Sequence, residues 1–300
     1  MMTASRQTTL RGELRLNEPM ARNCSWRVGG PADRFYRPVD VEDLATFLAG
    51  LPENEGLFWL GLGTNILVRD GGIRGTVIAT YGALQGLERL DMETIEVAAG
   101  VSCAKVARQC AQWNMRGAEF LAGIPGAMGG ALAMNAGAFG GETWQHVAEV
   151  ETIDRRGCRR WRKSEDFKIA YRSVKGPEGE WFIRARLRFA GAGSDDDAAQ
   201  QIRHLLAKRA ETQPIGSANC GSVFRNPPGM HAARLIESAG LKGHRIGGAV
   251  VSEKHANFII NEGSATAADI EALIEYVMDR VKQVYQVILQ PEVRIVGERK

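Results

Sequence analysis

The most regular pattern of hydrophobic and polar positions lies between Trp181 and Phe189. Every second residue of this segment is apolar, and Arg184, Arg186 and Arg188 occupy positions between them. Successive side chains of a strand point to opposite faces, so a period of two is typical of a strand with one buried face. The pattern therefore predicts a half-buried strand over this segment.

Other segments have apolar residues at every third or fourth position, which is the helical pattern. Asp40 is followed by Asp43 three residues later, and Thr266 is followed by Asp269 at the same spacing. Such pairs are typical of residues that cap the first turn of a helix. The pattern predicts helices that begin at Asp40, Asp195 and Thr266, and two more over residues 102–115 and 232–239.

Short apolar runs bounded by turn-forming residues predict the remaining strands. These runs lie at residues 57–60, 66–68, 246–251, 257–261 and 291–296. Residues 191–194 read GAGS, which is the composition of a linker. The order of elements predicts a glycine-rich α+β domain to about residue 193 and a smaller α/β domain after it.

Composition and charge exclude several classes of protein. Glycine contributes 35 of the 300 residues, against about 7 % in average usage, and 44 % of the residues are hydrophobic, as in a globular chain. A net charge of +3 gives no reason to expect a nucleic acid partner. The first thirty residues carry charges throughout and include no apolar signal segment, so we expect a cytoplasmic protein.

The longest uncharged stretch runs from Phe120 to Gly141 and is nominally long enough to cross a bilayer. It includes a proline and many glycines, which would leave backbone groups without partners in lipid. We therefore expect a system of buried loops here and no membrane partner.

The cysteines and histidines do not form a metal-binding pattern. The chain has five cysteines without a Cys-x-x-Cys pair, and no two histidines are four residues apart. Cys103 and Cys110 fall on one face of a predicted helix, which favours apolar packing. We expect no metal ion in this protein.

Two glycine-rich segments are candidates for ligand binding. The first, Gly61-Leu62-Gly63-Thr64-Asn65, follows a predicted strand, and its backbone N–H groups could converge on a diphosphate. Ile66 stands where a Rossmann fingerprint would have its third glycine, so a structural turn remains an alternative. The second segment, residues 119–140, could bond a flat or anionic ligand through its backbone, or could simply pack closely in the core.

Three further residues attract attention. Ser222 lies in a Gly221-Ser222 step without the G-x-S-x-G pattern of a nucleophile, which on its own favours a turn residue. Arg172 follows Tyr171, a context typical of a surface ion pair. Glu292 enters an apolar closing segment, so we expect this carboxylate to be partly buried.

These segments together resemble the UDP-N-acetylenolpyruvoylglucosamine reductase family of bacterial peptidoglycan synthesis. The resemblance covers nearly the whole chain, and its length is that of the shorter subtype, which lacks an additional tyrosine-bearing loop. Thr64 replaces the family's more frequent serine, and Cys24 replaces a common threonine. The most specific matches are residues 61–65, 123–126, 135–138, 171–172, 221–227 and 291–294.

The resemblance implies a fold and a domain organisation. We expect an α+β FAD-binding domain of the vanillyl-alcohol-oxidase (PCMH-type) kind at residues 27–193, after an N-terminal extension at 1–26. A C-terminal α/β substrate-binding domain is expected at residues 194–290. A closing strand at 291–300 would carry Glu292.

The resemblance also implies an activity, the reduction of UDP-N-acetylglucosamine enolpyruvate to UDP-N-acetylmuramate. FAD would carry hydride from NADPH to the substrate β-carbon. Ser222 would protonate the α-carbon, Arg172 would stabilise the enolate, and Glu292 would assist either its stabilisation or its protonation. NADPH and the substrate would bind in turn at one site of a monomeric protein.

The same resemblance assigns residues to each ligand. Asn226 and Gln213 match positions that contact the substrate. The flavin-binding positions would be Gly61, Gly63, Thr64, Asn65, Ile66, Gly123, Ile124, Pro125, Gly126, Gly129, Gly130, Asn135, Gly137 and Tyr171.

Two alternatives remain at this point. Another FAD-dependent oxidoreductase of the same fold often attaches its flavin through a histidine near the first glycine loop. The nearest histidine that follows this loop is His146, so we expect non-covalent FAD. A catalytically silent paralogue that binds nucleotide sugars is the other alternative, although Arg172, Ser222 and Glu292 are all present.

Overall fold

The structure is a computed structural model that describes residues 10–190 and 195–300. Its helices are α1 Val41–Ala49, α2 Cys103–Gln112, α3 Met128–Met134, α4 Asp195–Thr212, α5 Ala232–Ser238 and α6 Ala267–Tyr285. Its strands are β1 Glu13–Pro19, β2 Pro31–Arg37, β3 Leu57–Leu60, β4 Ile66–Val68, β5 Ile73–Ala79, β6 Leu87–Arg89, β7 Thr94–Ala98, β8 Gly137–Ala138, β9 Gly141–Glu142, β10 Val147–Asp154, β11 Arg159–Lys163, β12 Lys168–Ala170, β13 Ser173–Lys175, β14 Glu180–Arg188, β15 Arg245–Ile246, β16 Ala249–Val251, β17 Ile259–Asn261 and β18 Arg294–Val296.

A four-stranded sheet forms the first layer, in the order β1-β2-β5-β3. Its last three strands are parallel, and β1 pairs antiparallel with β2. Asp40 caps α1 by accepting a hydrogen bond from the Asp43 N–H at 2.8 Å, as its spacing predicted. Strand β1 lies inside the expected N-terminal extension, so this extension is hydrogen-bonded into the sheet from Glu13 onward.

A five-stranded antiparallel sheet, β11-β10-β14-β7-β6, forms the second layer. Its central strand β14 confirms the strand predicted from the period of two. Ile183, Ala185 and Leu187 are buried in the core, while Arg184 and Arg186 form ion pairs with Glu96 on the other face.

The uncharged stretch from Phe120 to Gly141 is a series of short elements, as expected. A 3₁₀ turn at Glu119–Gly123 leads into α3, and the hairpin β8–β9 follows. No helix within the described ranges is long and apolar enough to cross a membrane. Cys103 and Cys110 are fully buried on one face of α2, which confirms the predicted packing role.

The C-terminal part consists of the antiparallel sheet β15-β16-β17 with α5 and α6 packed against it. Thr266 and Asp269 form the predicted capping box at the start of α6. The single strand predicted at 246–251 is wrong, because this segment turns back on itself as the hairpin β15–β16. Gly247, with φ of +53°, makes the turn in a conformation that favours glycine.

Two segments, one around Trp26 and the closing strand β18, connect the two parts of the molecule. The closing strand β18 pairs in parallel with β4, which follows the first glycine loop. Trp26 is buried in the C-terminal core, where its indole N–H donates to the Ile259 carbonyl at 2.8 Å. The predicted linker at residues 191–194 lies outside the described residues.

Candidate active site

A cleft of about 680 Å³ lies where the two sheets of the first domain meet the C-terminal part. Cavities of this volume are typical of sites for small organic ligands. It brings together nearly all of the residues to which the sequence assigned a role. These are Gly61, Gly63, Thr64, Asn65, Ile66, Gly123, Ile124, Pro125, Gly126, Gly129, Gly130, Gly137, Tyr171, Arg172, Gln213, Ser222, Asn226 and Glu292.

The first glycine loop is a tight turn fixed to the closing segment. Gly63 has φ of +66°, and a Cβ there would lie 2.0 Å from the Asn23 carbonyl oxygen, so the turn requires glycine. The Asn65 side-chain Nδ2 donates to the Glu292 backbone carbonyl at 3.1 Å, and the Asn65 backbone carbonyl accepts from the Arg294 N–H at 3.1 Å. These bonds place the loop beside Glu292.

The second glycine segment leaves room for a ligand along its backbone. A Cβ on Gly126 would meet nothing closer than 3.7 Å, and one on Gly130 would meet no atom within 4 Å. Both glycines line the cleft, so side chains there would occupy ligand space. Backbone that a flat dinucleotide can approach this closely fits FAD.

Asn135 is the one predicted flavin-binding residue that does not line the cleft. It ends α3 in a left-handed conformation with φ of 46° and is 2 % exposed. Its Nδ2 donates to Glu142 at 2.8 Å, and its Oδ1 accepts from the Trp144 N–H at 3.0 Å. The Asn135 side chain therefore supports the wall behind the cleft.

Arg172 occupies the two-residue turn between β12 and β13, where its φ of 53° is unusual for a side chain of this size. Its Nη2 donates to the Gly137 carbonyl at 2.8 Å, and its Nη1 to the Asn135 carbonyl at 3.3 Å. Tyr171 lies beside it, with the guanidinium carbon 5.0 Å from the ring centroid. The turn thus holds a cation at the cleft wall.

Glu292 faces this cation, as the apolar context of the closing segment indicated. Its Oε1 lies 3.3 Å from the Arg172 Nε, and both side chains are 17 % exposed. Burial raises the pKa of Glu292, although Arg172 and Arg225 oppose this effect. The site therefore favours the protonated form of Glu292 more than water does.

Ser222 belongs to an extended segment that pairs with the closing segment. The Glu292 N–H donates to the Val223 carbonyl at 2.7 Å, and Phe224 forms a β-bridge with Pro291. Within the described part of the chain, the Ser222 hydroxyl has no hydrogen-bond partner. A free hydroxyl at the cleft is available to a bound substrate.

Part of the cleft lining is aromatic, and the sequence analysis did not assign it to a ligand. Trp59 and Trp181 stack with their ring centroids 5.2 Å apart, and Phe167 and Phe182 line the same cleft. Their strands β3 and β14 belong to different sheets, so no pattern in the sequence joins them. Such a surface suits a planar heterocycle.

Arg209 is a second residue that sequence reasoning missed. It lies near the end of α4, and its Nε donates to the Gln213 Oε1 at 2.9 Å. Among the described residues no carboxylate pairs with it, and burial lowers the pKa of this guanidinium. A smaller pocket of about 220 Å³ adjoins the cleft here and shares both side chains with it. This region can accept an anion.

No group of three or more metal-ligating side chains occurs in residues 10–190 or 195–300.

Asn226, which also lines the cleft, is exposed, and its Oδ1 accepts from the Ala232 N–H at 3.0 Å at the start of α5. The site therefore offers the Arg172 cation, the neighbouring acid Glu292, the free Ser222 hydroxyl and a second cation, Arg209, in the adjoining pocket.

Two family models match this chain. One described as FAD binding domain matches residues 32–161, and one described as UDP-N-acetylenolpyruvoylglucosamine reductase, C-terminal domain, matches residues 213–296. The reductase of that name from Alkalilimnicola ehrlichii is 59 % identical over 298 residues, which cover 99 % of each chain. The one from Methylococcus capsulatus is 58 % identical, over 96 % of this chain and 94 % of its own.

Solved structures match as well. The UDP-N-acetylenolpyruvylglucosamine reductase from Thermus caldophilus has a TM-score of 0.79 at 30 % identity, over 96 % of this chain and all of its own. The 6-hydroxy-D-nicotine oxidase from Arthrobacter nicotinovorans has a TM-score of 0.56 at 10 % identity, over 96 % of this chain and 89 % of its own, which shows a shared fold only. The expected fold, an FAD-binding domain followed by a smaller C-terminal domain, is confirmed.

Proposed function

Since the chain belongs to the UDP-N-acetylenolpyruvoylglucosamine reductase family, we propose that its reaction takes place between Arg172, Ser222 and Glu292 at one end of the cleft. The reaction is the reduction of UDP-N-acetylglucosamine enolpyruvate to UDP-N-acetylmuramate, in peptidoglycan precursor synthesis. The observation that carries the proposal is the 3.3 Å contact between the Arg172 Nε and the Glu292 Oε1 in the cleft that Ser222 also lines.

The residues that line the cleft would hold FAD. The bound flavin would supply hydride transfer between NADPH and the substrate β-carbon. The two glycine segments at residues 61–66 and 123–130 would hold its diphosphate, and the Trp59–Trp181 stack would hold its adenine. His146 packs between aromatic rings at 4.9 and 5.4 Å, which supports non-covalent binding.

Arg172 stabilises the charge that develops on the substrate. Hydride addition to the β-carbon of the unsaturated carboxylate creates an enolate, and a cation held in place beforehand lowers the energy of that state. The carbonyls of Asn135 and Gly137 hold the guanidinium at the cleft wall, so little reorganisation is needed. A guanidinium can also bind a carboxylate through two parallel hydrogen bonds.

Ser222 gives its proton to the α-carbon of the enolate. A serine hydroxyl is a weak acid, so this transfer needs a strongly basic acceptor and a donor at hydrogen-bond distance. Glu292 lies on the neighbouring segment, and its raised pKa lets it hold a proton close to the enolate. Together the two groups supply the acid side of the reaction.

NADPH and the enolpyruvyl substrate use the same end of the cleft in turn. The 220 Å³ pocket at Arg209 and Gln213 continues the main cleft, so both ligands can place a diphosphate on this cation. Asn226 lies at the cleft edge and contacts the substrate. The protein acts as a monomer in the cytoplasm.

Ser222→Ala tests this function, because only one half-reaction needs the hydroxyl. In stopped flow, NADPH should reduce the flavin of the variant at a nearly normal rate. Reoxidation by the enolpyruvyl substrate should slow by about 100-fold or more, which is the usual contribution of a positioned acid. Ser222→Cys should recover part of this loss, since a thiol has an ordinary pKa of about 8.5.

Ser217→Ala is the matched control, because that hydroxyl donates to the Pro214 carbonyl at 2.8 Å in the same loop. It should leave both half-reactions unchanged. Equal losses in the two half-reactions of Ser222→Ala would assign Ser222 to loop structure. An unchanged rate of reoxidation in Ser222→Ala would show that another group donates the proton.

A further inference from the structure

The loop before Ser222 is anchored at Cys220, which is 4 % exposed and whose Sγ donates to the Ile66 carbonyl at 3.4 Å, but Gly221 between the two residues has few contacts. Gly221 has φ of +73°, and a side chain there would meet no atom within 4 Å. The Gly221 N–H bonds only to Asn219, two residues away in the same loop. The position of the Ser222 hydroxyl therefore depends on Cys220 before it and on the residues that follow it.

Those residues, Val223 and Phe224, are hydrogen-bonded along both edges. On one edge the Glu292 N–H donates to the Val223 carbonyl at 2.7 Å. On the other edge Asn257 forms every bond. Its carbonyl accepts from the Val223 N–H at 2.9 Å, its Oδ1 accepts from the Phe224 N–H at 3.0 Å, and its Nδ2 donates to the Phe224 carbonyl at 2.8 Å.

The Asn257 side chain thus stands in for a neighbouring strand. The side-chain amide pairs with the N–H and the carbonyl of one residue, as a strand backbone would. Asn257 is 4 % exposed and Phe224 is 2 % exposed, so water cannot replace these bonds. A shorter side chain would leave the Phe224 backbone free on this edge.

We propose that Asn257 is a positioning residue for proton transfer, which holds the Ser222 hydroxyl at the substrate α-carbon through Val223 and Phe224. The inference rests on the proposed role of Ser222 as the proton donor. Displacement of a reacting group by about 1 Å can cost about 100-fold in rate, so an anchor two residues away from it matters to catalysis.

A double-mutant cycle on the holoenzyme tests the proposal. Asn257→Ala should slow reoxidation by the enolpyruvyl substrate by about 10- to 100-fold, while flavin reduction by NADPH stays nearly normal. Added to Ser222→Ala, the same substitution should cost no more than about twofold, because the group that it positions is already absent. A purely structural role would instead give losses that multiply, and would overturn the inference.

Asn261→Ala is the matched control. Asn261 is also buried, and its side chain bonds to the backbone of Trp26, Gly263 and Ala265, none of which lines the cleft. This variant should lose stability and keep both half-reaction rates. Equal slowing of reoxidation in Asn261→Ala and Asn257→Ala would contradict a specific role for Asn257.

Asn257→Asp serves if the alanine variant does not fold. It keeps an acceptor for the Phe224 N–H and loses the donor to the Phe224 carbonyl, so a smaller loss with the same non-additivity is expected. Failure of the two hypotheses gives different results. Full activity of Ser222→Ala removes the proposed donor, whereas an inactive Ser222→Ala with an unaffected Asn257→Asp removes only the positioning role.

Discussion

The Arg172 Nε and the Glu292 Oε1 lie 3.3 Å apart, although one residue belongs to the turn of the β12–β13 hairpin and the other to the closing segment. Strand β18 pairs with β4, and this pairing carries Glu292 to the cleft. The contact joins a cation to an acid whose burial raises its pKa. We therefore expect single substitutions of Arg172 or Glu292 to change stability and activity in different directions or by different amounts.

Glu292→Gln should stabilise the protein at neutral pH while it lowers activity. An acid whose pKa is raised by folding destabilises the folded state wherever the unfolded chain is ionised. This cost is absent below the ordinary pKa of 4.5, grows as the pH rises above it and is complete above the raised value. The midpoint of thermal unfolding should therefore exceed that of the wild type most clearly near neutral pH.

The difference between the two midpoints should shrink as the pH falls toward 4.5. Reoxidation of the flavin by substrate should fall by about 100-fold. Glu298→Gln removes an exposed carboxylate from the same end of the chain and should change neither activity nor this pH trend. A destabilised Glu292→Gln at neutral pH would show that the ion pair with Arg172 outweighs burial.

Arg172→Lys should impair turnover far more than flavin binding. Lysine keeps the charge but has no planar guanidinium. It therefore cannot bond the carbonyls of Asn135 and Gly137 and the substrate at the same time. Loss of a preorganised donor to a developing oxyanion typically costs about 100- to 1,000-fold in turnover. Steady-state kinetics and FAD content measure the two effects, with the exposed Arg188→Lys as control. A rate near that of the wild type would show that Arg172 does not stabilise the developing charge.

Arg209→Gln should raise the KM for both NADPH and the UDP-linked substrate. Hydrogen bonds to charged groups contribute about 1.5–3 kcal/mol, so we expect an increase of about 10- to 100-fold. FAD content is measured alongside, because Thr64 and Pro125 of the proposed flavin segments line the same pocket as Arg209. Lys208→Gln removes the same charge from an exposed neighbour and should leave both KM values unaltered. If only one KM rises, the two ligands do not share this cation.

Trp181→Leu should weaken FAD binding and leave FMN binding unchanged, because FMN lacks the adenine that the Trp59–Trp181 stack would hold. An aromatic pair contributes about 0.5–1.5 kcal/mol beyond the area that it buries, so a loss of several-fold in affinity is expected. Fluorescence titration of the apoprotein with each flavin measures the ratio. Trp161→Leu, at an exposed site on the adjacent sheet edge, is the control. Equal losses of affinity for FAD and FMN would show that the Trp59–Trp181 stack does not bind the adenine.

Much of the local structure was determined by the sequence itself. The period of two at Trp181–Phe189 predicted β14, and the caps at Asp40 and Thr266 predicted α1 and α6. These patterns are reliable because backbone geometry alone decides which side chains share a face. The glycine content of residues 61–65 and 119–140 also indicated two candidate ligand segments. The resemblance to a family was needed to choose between a ligand loop and a turn. The hairpin turn at Gly247 was missed, since a glycine pair inside an apolar run is compatible with both structures.

Only the tertiary structure decided which of these residues meet. Periodicity reports that a face is buried, but it does not report what covers it. The Trp59–Trp181 stack, the desolvation of Arg209 and the two-sided anchoring of Phe224 all depend on segments far apart in the chain. Asn135 shows the same limit, because its motif suggested a flavin contact while packing turned its side chain into the wall. Long-range packing places these groups, and no local pattern encodes it.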